Sequence, residues 1–316
     1  MPALDPAALR GWERGARLVE IGGTTMGTGW RVRLAAPAGL DLAALNDAIA
    51  ERLAGLVAEM SHWEPQSLLS RFNRAPAGSW TALPPDFAAV IAAGLAVAER
   101  SAGAFDPAIG TLVDAWGFGP EPSINTPSAR DVADAQALGG WHRLGWDAPA
   151  RRLRQPGGLR LDLSGIAKGH AVECVAALMA GRGIDHALVE IGGEFAGRGL
   201  RPDGDPWWVD LETPGDVAPP LRVALHQIAV ATSGDYVRGR HSIDPRTGLP
   251  VEHALAVSVL HRSAMYADAW ATALGVLPRP EMIARAEAEA LAVRALLRRD
   301  GAIEEWISPA LAAMLA

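Results

Sequence analysis

The ten residues 161–170, LDLSGIAKGH, change period in mid-stretch, and that change constrains the fold more than any other feature of the chain. Leu161, Asp162, Leu163 and Ser164 alternate apolar and polar, the pattern of a half-buried strand. Gly165 permits a sharp turn. From Ala167 the spacing turns helical, with Val172, Val175 and Leu178 or Met179 on one side. A strand that gives way to a helix within a few residues delivers Ser164 beside the helix's unpaired N–H groups and the positive end of its dipole, a setting suited to phosphate. Lys168 stands at the same place. It is the only lysine among 29 basic residues, so the other 28 are arginine. Two readings stand: a compact point charge that a planar guanidinium would not replace, or a survivor in an arginine-biased composition.

The rest of the chain gathers around this transition. Residues 1–16 read as a loosely held arm. Residues 17–36 read as two strands about a Gly/Thr turn. Asp41 caps a helix with the stripe Leu42, Leu45, Ile49, Leu53, Leu56 and Met60. A polar loop, residues 61–76, carries an exposed-looking Trp63, and a second helix covers 87–100. The Asp106-Pro107 pair forces an extended or turn conformation. Residues 119–158 look like a surface excursion with one short helix. Strands are expected at 186–191, 207–213, 221–232, 255–260 and 302–307, and helices at 265–277 and 280–299. With 316 residues, no internal repeat and no separating linker, residues 17–316 are expected to form a single domain. Strands and helices interleave without the steady alternation of a doubly wound sheet, so the expected class is α+β, mainly antiparallel sheets with packed helices.

Several function classes fall away. A net charge of −7 argues against nucleic acid as the main partner. One cysteine, Cys174, leaves no disulfide framework and no cysteine-based zinc site, and its expected role is that of a buried small hydrophobe. Asp5, Arg10 and Glu13 interrupt the first residues, so no signal peptide is expected. The longest charge-free apolar run, 87–98, is too short to span a bilayer. The expectation is a cytoplasmic protein without a membrane anchor.

Few residues point to chemistry singly. Asp268 and Thr272 are four apart near the start of a predicted helix and share a face, offering hard oxygens to Mg²⁺ or Ca²⁺; an acidic residue there also answers the helix dipole. His241, between Arg240 and a Pro/Gly turn, is either solvated or a base near neutral pH. Glu194, after two glycines, is either a turn residue or a ligand contact.

In order, the stretches MGTGW, MSHWEPQSLLSRFN, GAFDPAIGTLVDAWGFG, LDLSGIAKGHAV, ALVEIGGE, VATSGDY, HSIDPRTG and ADAWATAL resemble the successive motifs of the FAD:protein FMN transferases, the ApbE flavinyltransferase family, over residues 24–277. The resemblance implies a two-lobed α+β unit with FAD in the cleft. It implies metal-dependent transfer of the FMN part of FAD to a Thr or Ser hydroxyl of an acceptor flavoprotein, with release of AMP. The implied metal is Mg²⁺, with Ca²⁺ or Mn²⁺ as alternatives. Met26, Trp63, Ala104, Phe105, Asp106, Ser164, His170 and Ile243 match FAD-contacting positions. Ala167 would lend a carbonyl to the metal, with Asp268 and Thr272 as side-chain ligands and Ala271 beside them, and His241 matches the histidine that assists the acceptor hydroxyl. Rival readings are a pyrophosphatase giving FMN and AMP, and a non-catalytic FAD-binding protein. Two departures stand out: many relatives carry an export signal or lipid anchor, and the segment between Asp235 and His241 is short, so the loop that guides the acceptor is expected to differ.

Overall fold

The computed structural model describes residues 9–120, 126–215, 217–234 and 242–316. Strands β1 (Arg17–Thr25) and β2 (Thr28–Ala36) form a hairpin whose register runs from Arg17 opposite Ala36 to Thr25 opposite Thr28. Met26 and Gly27, its two loop residues, both have positive φ (50° and 71°), as a tight hairpin between right-twisted strands requires. Helix α1 (Leu42–Met60) is capped by Asp41, whose carboxylate accepts from the Ala43 and Ala44 N–H groups, and the expected stripe from Leu45 to Met60 is buried. The polar stretch that follows is not all loop. It contains α2 (Leu68–Asn73), capped by Ser67 and anchored by buried Leu69 and Phe72. At six residues that helix is too short to declare a period.

Strand β3 (Trp80–Ala82) precedes α3 (Pro85–Arg100), which has proline in its first turn. Then come α4 (Gly110–Ala115) and α5 (Ala129–Leu138), the latter with a Ser128/Asp131 capping box. Strands β4 (Gly145–Asp147) and β5 (Arg152–Arg154) join β3 in a three-stranded sheet of order β3-β5-β4. The expected surface excursion thus reaches the interior, where Leu153 and Gln155 are fully buried.

Residues 161–164 show the expected alternation of burial but pair with no strand. The Asn73 side chain takes both polar groups of Leu161, accepting from its N–H at 2.8 Å and donating to its carbonyl at 3.0 Å. The Asp162 N–H donates to the Pro107 carbonyl. A side-chain amide and one turn carbonyl do here what a neighbouring strand would do. Helix α6 (Ala167–Ala180) begins where the period changes.

Strands β6 (Ala187–Ile191), β7 (Glu194–Arg198), β8 (Trp207–Leu211), β9 (Leu221–Leu225) and β10 (Ile228–Gly234) follow. The single strand expected over 221–232 is broken at Gln227, whose φ of 57° ends β9 and releases β10 to a different sheet. A two-residue pair, β11 (Ile243–Asp244) and β12 (Leu249–Pro250), leads to β13 (Ala254–His261), α7 (Ala264–Val276) and α8 (Arg279–Ala288). The chain closes with β14 (Ala292–Arg299), β15 (Ala302–Ile307) and α9 (Pro309–Leu315). The helix expected over 280–299 therefore stops at Ala288. Ala290, at φ 50°, turns the chain into a strand.

Eight strands form one antiparallel sheet of order β1-β2-β6-β7-β10-β13-β14-β15. Each strand is laid beside its predecessor, and the other elements hang between consecutive strands. The sheet is covered on both faces. Val189, Ala229, Val259 and Val293 join α1, α3, α6 and α7 in the main core. Their neighbours Leu188, Val230, Leu260 and Ala292 pack under the β8–β9 hairpin and Leu311 of α9. Of the arm, Trp12 donates its indole N–H to the Arg201 carbonyl at 2.9 Å. Among the described residues no helix is long and apolar enough to cross a membrane.

Candidate functional site

Helices α6 and α7 come together at two glycines. A methyl on Gly165 would lie 2.6 Å from Thr272 Oγ1. One on Gly169 would lie 2.8 Å from Asp268 Cβ and closer still to the Ala264 carbonyl. This close approach sets the α7 residues Asp268 and Thr272 against the start of α6. The Gly169 N–H, an end group with no partner in its own helix, donates to Asp268 Oδ2 at 2.9 Å. Thr272 Oγ1 lies 3.5 Å from the Gly165 carbonyl, the far limit of a hydrogen bond. Ala167 is the first residue of α6, and Ala271 is fully buried beside Thr272.

Among the described residues, three carboxyl groups gather around one ammonium here. Lys168 pairs with Glu194, which follows the Gly192-Gly193 turn and is 1% exposed. Burial pushes the Glu194 carboxyl up to about 8 against the opposing pull of Lys168. Burial also raises Asp268, with Lys168 and the Gly169 N–H acting the other way. It raises Glu212 as well, again against Lys168. Lys168 contacts Glu194 and acts on Asp268 and Glu212 through its charge. The oxygen atoms of Asp268 and Thr272, with backbone carbonyls at the start of α6, make a hard donor set that fits a divalent cation of the Mg²⁺ kind. Lys168, read in the sequence as a phosphate partner or a chance survivor, is the counter-ion of Glu194. Glu194 could be weighed from the sequence only as a turn residue or contact, because its partner is 26 positions away. Glu212 gave no sequence signal.

Two hollows are bordered by residues that lie a few positions along the chain from this centre. One, of about 230 Å³, is lined by His62, Trp63, Arg74, Asp114, Arg160 and Asp162 among others. Trp63 is 57% exposed, its ring 5.2 Å from that of His62, and His62 lies 3.7 Å from Asp162. The other is lined by Gly22, Gly23, Thr28, Gly29, Trp30, Arg31 and Glu190, at the β1–β2 turn that carries Met26. Asp162 borders the first hollow two residues before exposed Ser164, whose N–H it accepts at 2.7 Å. Glu190 borders the second and accepts from the Gly193 N–H at 3.3 Å.

The other sequence-selected residues are distributed unevenly. Ala104 and Phe105 are buried in the main core, and Ile243 lies in a small cluster with Leu112, Val132 and Ala135. Asp106 is a turn organiser: its two oxygens accept from the Ala108 N–H at 2.7 Å and the Trp141 N–H at 3.1 Å, and burial lifts it to about 6. His170 turns its ring away from the Asp268 group. Its Nε2 lies 3.1 Å from Asp86 on α3 and 3.3 Å from Cys174. Cys174 is buried as expected, but among polar groups rather than as a plain hydrophobe, and burial pushes its thiol up to about 12. His241 lies outside the described residues.

The model of the ApbE family matches residues 26–297. The FAD:protein FMN transferase of Vibrio cholerae is 33% identical over 95% of this chain and 93% of its own length. That of Haemophilus influenzae is 31% identical over 93% of this chain and 90% of its own. Among solved structures, the flavin transferase ApbE from Vibrio cholerae superposes with a TM-score of 0.89 at 33% identity, covering 95% of this chain and 99% of that one. The apo flavinyl transferase ApbE of Pseudomonas stutzeri gives 0.88 at 33%, covering 94% and 96%.

Proposed function

The chain belongs to the ApbE family, and from that premise we propose that it is a FAD:protein FMN transferase that places FMN, through its phosphate, on a Thr or Ser hydroxyl of an acceptor flavoprotein. The observation that carries this reading is the meeting of Asp268 and Thr272 with the start of α6, where three carboxylates share the Lys168 charge. Asp268, Thr272 and the Ala167 carbonyl would hold a divalent cation, Mg²⁺ first. When bound, it supplies charge neutralisation for the pyrophosphate.

The chain's own groups do the rest. Trp63 offers an exposed flat face on which a ring of FAD can stack. Ser164 and the start of α6 supply polar groups for the phosphates. His241 takes the proton of the acceptor hydroxyl as its oxygen forms the new bond to the FMN phosphorus. The bond from that phosphorus to the AMP oxygen breaks, and AMP leaves. Positioning and charge neutralisation are most of what phosphoryl transfer asks of a protein. A cytoplasmic setting is part of the reading, and fractionation of native cells tests it.

The test is incubation with FAD, Mg²⁺ and a candidate acceptor, with mass spectrometry of the acceptor for an added FMN. Asp268→Ala should lose both transfer and any slow hydrolysis of FAD, since both need the pyrophosphate neutralised. His241→Ala should lower transfer by roughly 10²–10⁴-fold, the range for a lost general base, and leave FAD affinity nearly unchanged. FAD cleaved to FMN and AMP with every acceptor left unmodified would favour a pyrophosphatase instead. Wild-type turnover of His241→Ala at saturating FAD would remove the base assignment.

A further inference from the structure

On the side of α6 that faces α1 and α3 lies a second group of side chains of metal-ligating types, apart from Asp268 and Thr272; one of its members, His170, also matches a FAD-contacting position. Asp86 Oδ1, His170 Nε2 and Cys174 Sγ form a triangle: His170 to Asp86 is 3.1 Å, His170 to Cys174 is 3.3 Å, and Cys174 to Asp86 is 3.7 Å. A point equidistant from those corners lies about 2 Å from each, the length of a Zn–N or Zn–O bond and a little short of Zn–S. The ligand spacing follows from the fold. His170 and Cys174 are one helical turn apart on α6, and Asp86 enters from the first turn of α3.

Arg52 of α1 completes the arrangement from behind. It donates to Asp86 Oδ2 at 2.7 Å, which leaves Oδ1 to the triangle, and to Cys174 Sγ at 3.1 Å. Such outer hydrogen bonds orient metal ligands and stabilise a thiolate. His170 and Cys174 are buried, while the Asp86 side chain is 27% exposed and gives a path for entry.

We propose that Asp86, His170 and Cys174 bind one Zn²⁺, or a similar borderline-soft divalent cation, with water as the fourth ligand; this departs from the expectation drawn from the cysteine count, because one thiolate suffices when a histidine and a carboxylate complete the set. The donor set of nitrogen, sulfur and one carboxylate differs in kind from the all-oxygen set at Asp268 and Thr272, so the two sites select different ions. Binding exchanges a proton for the cation: the Cys174 S–H bond breaks, the S–Zn bond forms, and the proton leaves to solvent with no change of oxidation state. His170 Nδ1 is buried without a hydrogen-bond partner, so the second nitrogen lacks the acceptor that tightens most zinc-bound imidazoles. Affinity should accordingly fall below that of a four-ligand structural site. Bound metal would tie α3 to α6. The metal-free alternative is a quartet in which Arg52, Asp86, His170 and Cys174 only bond one another.

The experiment uses the full chain with excess Mg²⁺ to fill the oxygen site. Co²⁺ is titrated as probe, followed by a zinc count per chain after dialysis. Wild type and Asp268→Ala should each take up one equivalent and show the near-ultraviolet sulfur-to-cobalt charge-transfer band. Cys174→Ala should lose the band and bind at least about tenfold more weakly, and Cys174→Ser should do the same if the alanine variant folds poorly. Absence of the band in wild type, or equal uptake by wild type and both Cys174 variants, would overturn the proposal.

Discussion

Asp106 is a carboxylate held where charge is unwelcome. Its two backbone donors are outweighed by burial, which raises it from 3.8 to about 6. The folded state therefore keeps the proton longer than the unfolded chain does. Below about pH 4 both states are protonated and the group has no effect. Between about pH 4 and 6 the unfolded chain ionises first and stability falls, by about 3 kcal/mol in all from this group. Above pH 6 the penalty is constant. Urea unfolding at a series of pH values should show this fall, and Asp106→Asn should flatten it: the variant is less stable than wild type below about pH 4, where it lacks one accepted hydrogen bond, and more stable above pH 6, where the larger burial penalty is gone. An unchanged slope in the variant would mean that other carboxylates carry the pH dependence. At this scale the sequence was legible wherever partners lie within a turn. The four-residue spacing of Asp268 and Thr272 announced a shared face. The same spacing in His170 and Cys174 announced nothing without Asp86, 84 positions before His170, and Glu194 could not be matched to Lys168 for the same reason.

Among elements, the contact of α6 with α7 is the one that places the proposed metal ligands, and it depends on a missing side chain. Gly169→Ala would press a methyl against the Ala264 carbonyl and Asp268 Cβ, both fixed by α7. The helices must part, so the substitution should destabilise by about 1–3 kcal/mol and displace Asp268 from the start of α6. Gly55 in the middle of α1 has nothing within 4 Å of a methyl. There the same change should stabilise by about 0.5–1 kcal/mol. Opposite signs in paired urea titrations are the expected outcome; a neutral Gly169→Ala would mean that the helices have slack. Element type was harder to read for β14. Its sequence, AVRALLRR, is rich in Ala, Leu and Arg and suits a helix. Both of its faces are buried, so it shows no alternation, and only pairing with β13 and β15 makes it a strand. The stripe of α1 was legible because that helix is half exposed and nineteen residues long.

At the scale of the molecule, one core cluster draws side chains from Trp30 to Leu297, and the sheet that backs it carries a second cluster on its other face. Heating should give a single cooperative transition with equal calorimetric and van't Hoff enthalpies. Two resolved transitions would divide the chain into independent units. The antiparallel class was readable from the spacing of strands and turns, whereas the pairing order was not, because β2 finds its next neighbour, β6, across some 150 intervening residues. That order has a consequence for the nascent chain. Beyond β6 each new strand of the sheet meets its partner soon after it is made, and closing such short loops is entropically cheap. The β1–β2 hairpin and α1 emerge first and can pack with α2 and α3, yet the sheet edge of β2 and the α6 side of α1 stay uncovered until β6 and α6 exist. The central sheet can therefore join its first hairpin to the rest only after residues 187–191 are made, and the amino-terminal third spends that interval with part of its apolar stripe uncovered, the period in which a chaperone would find it.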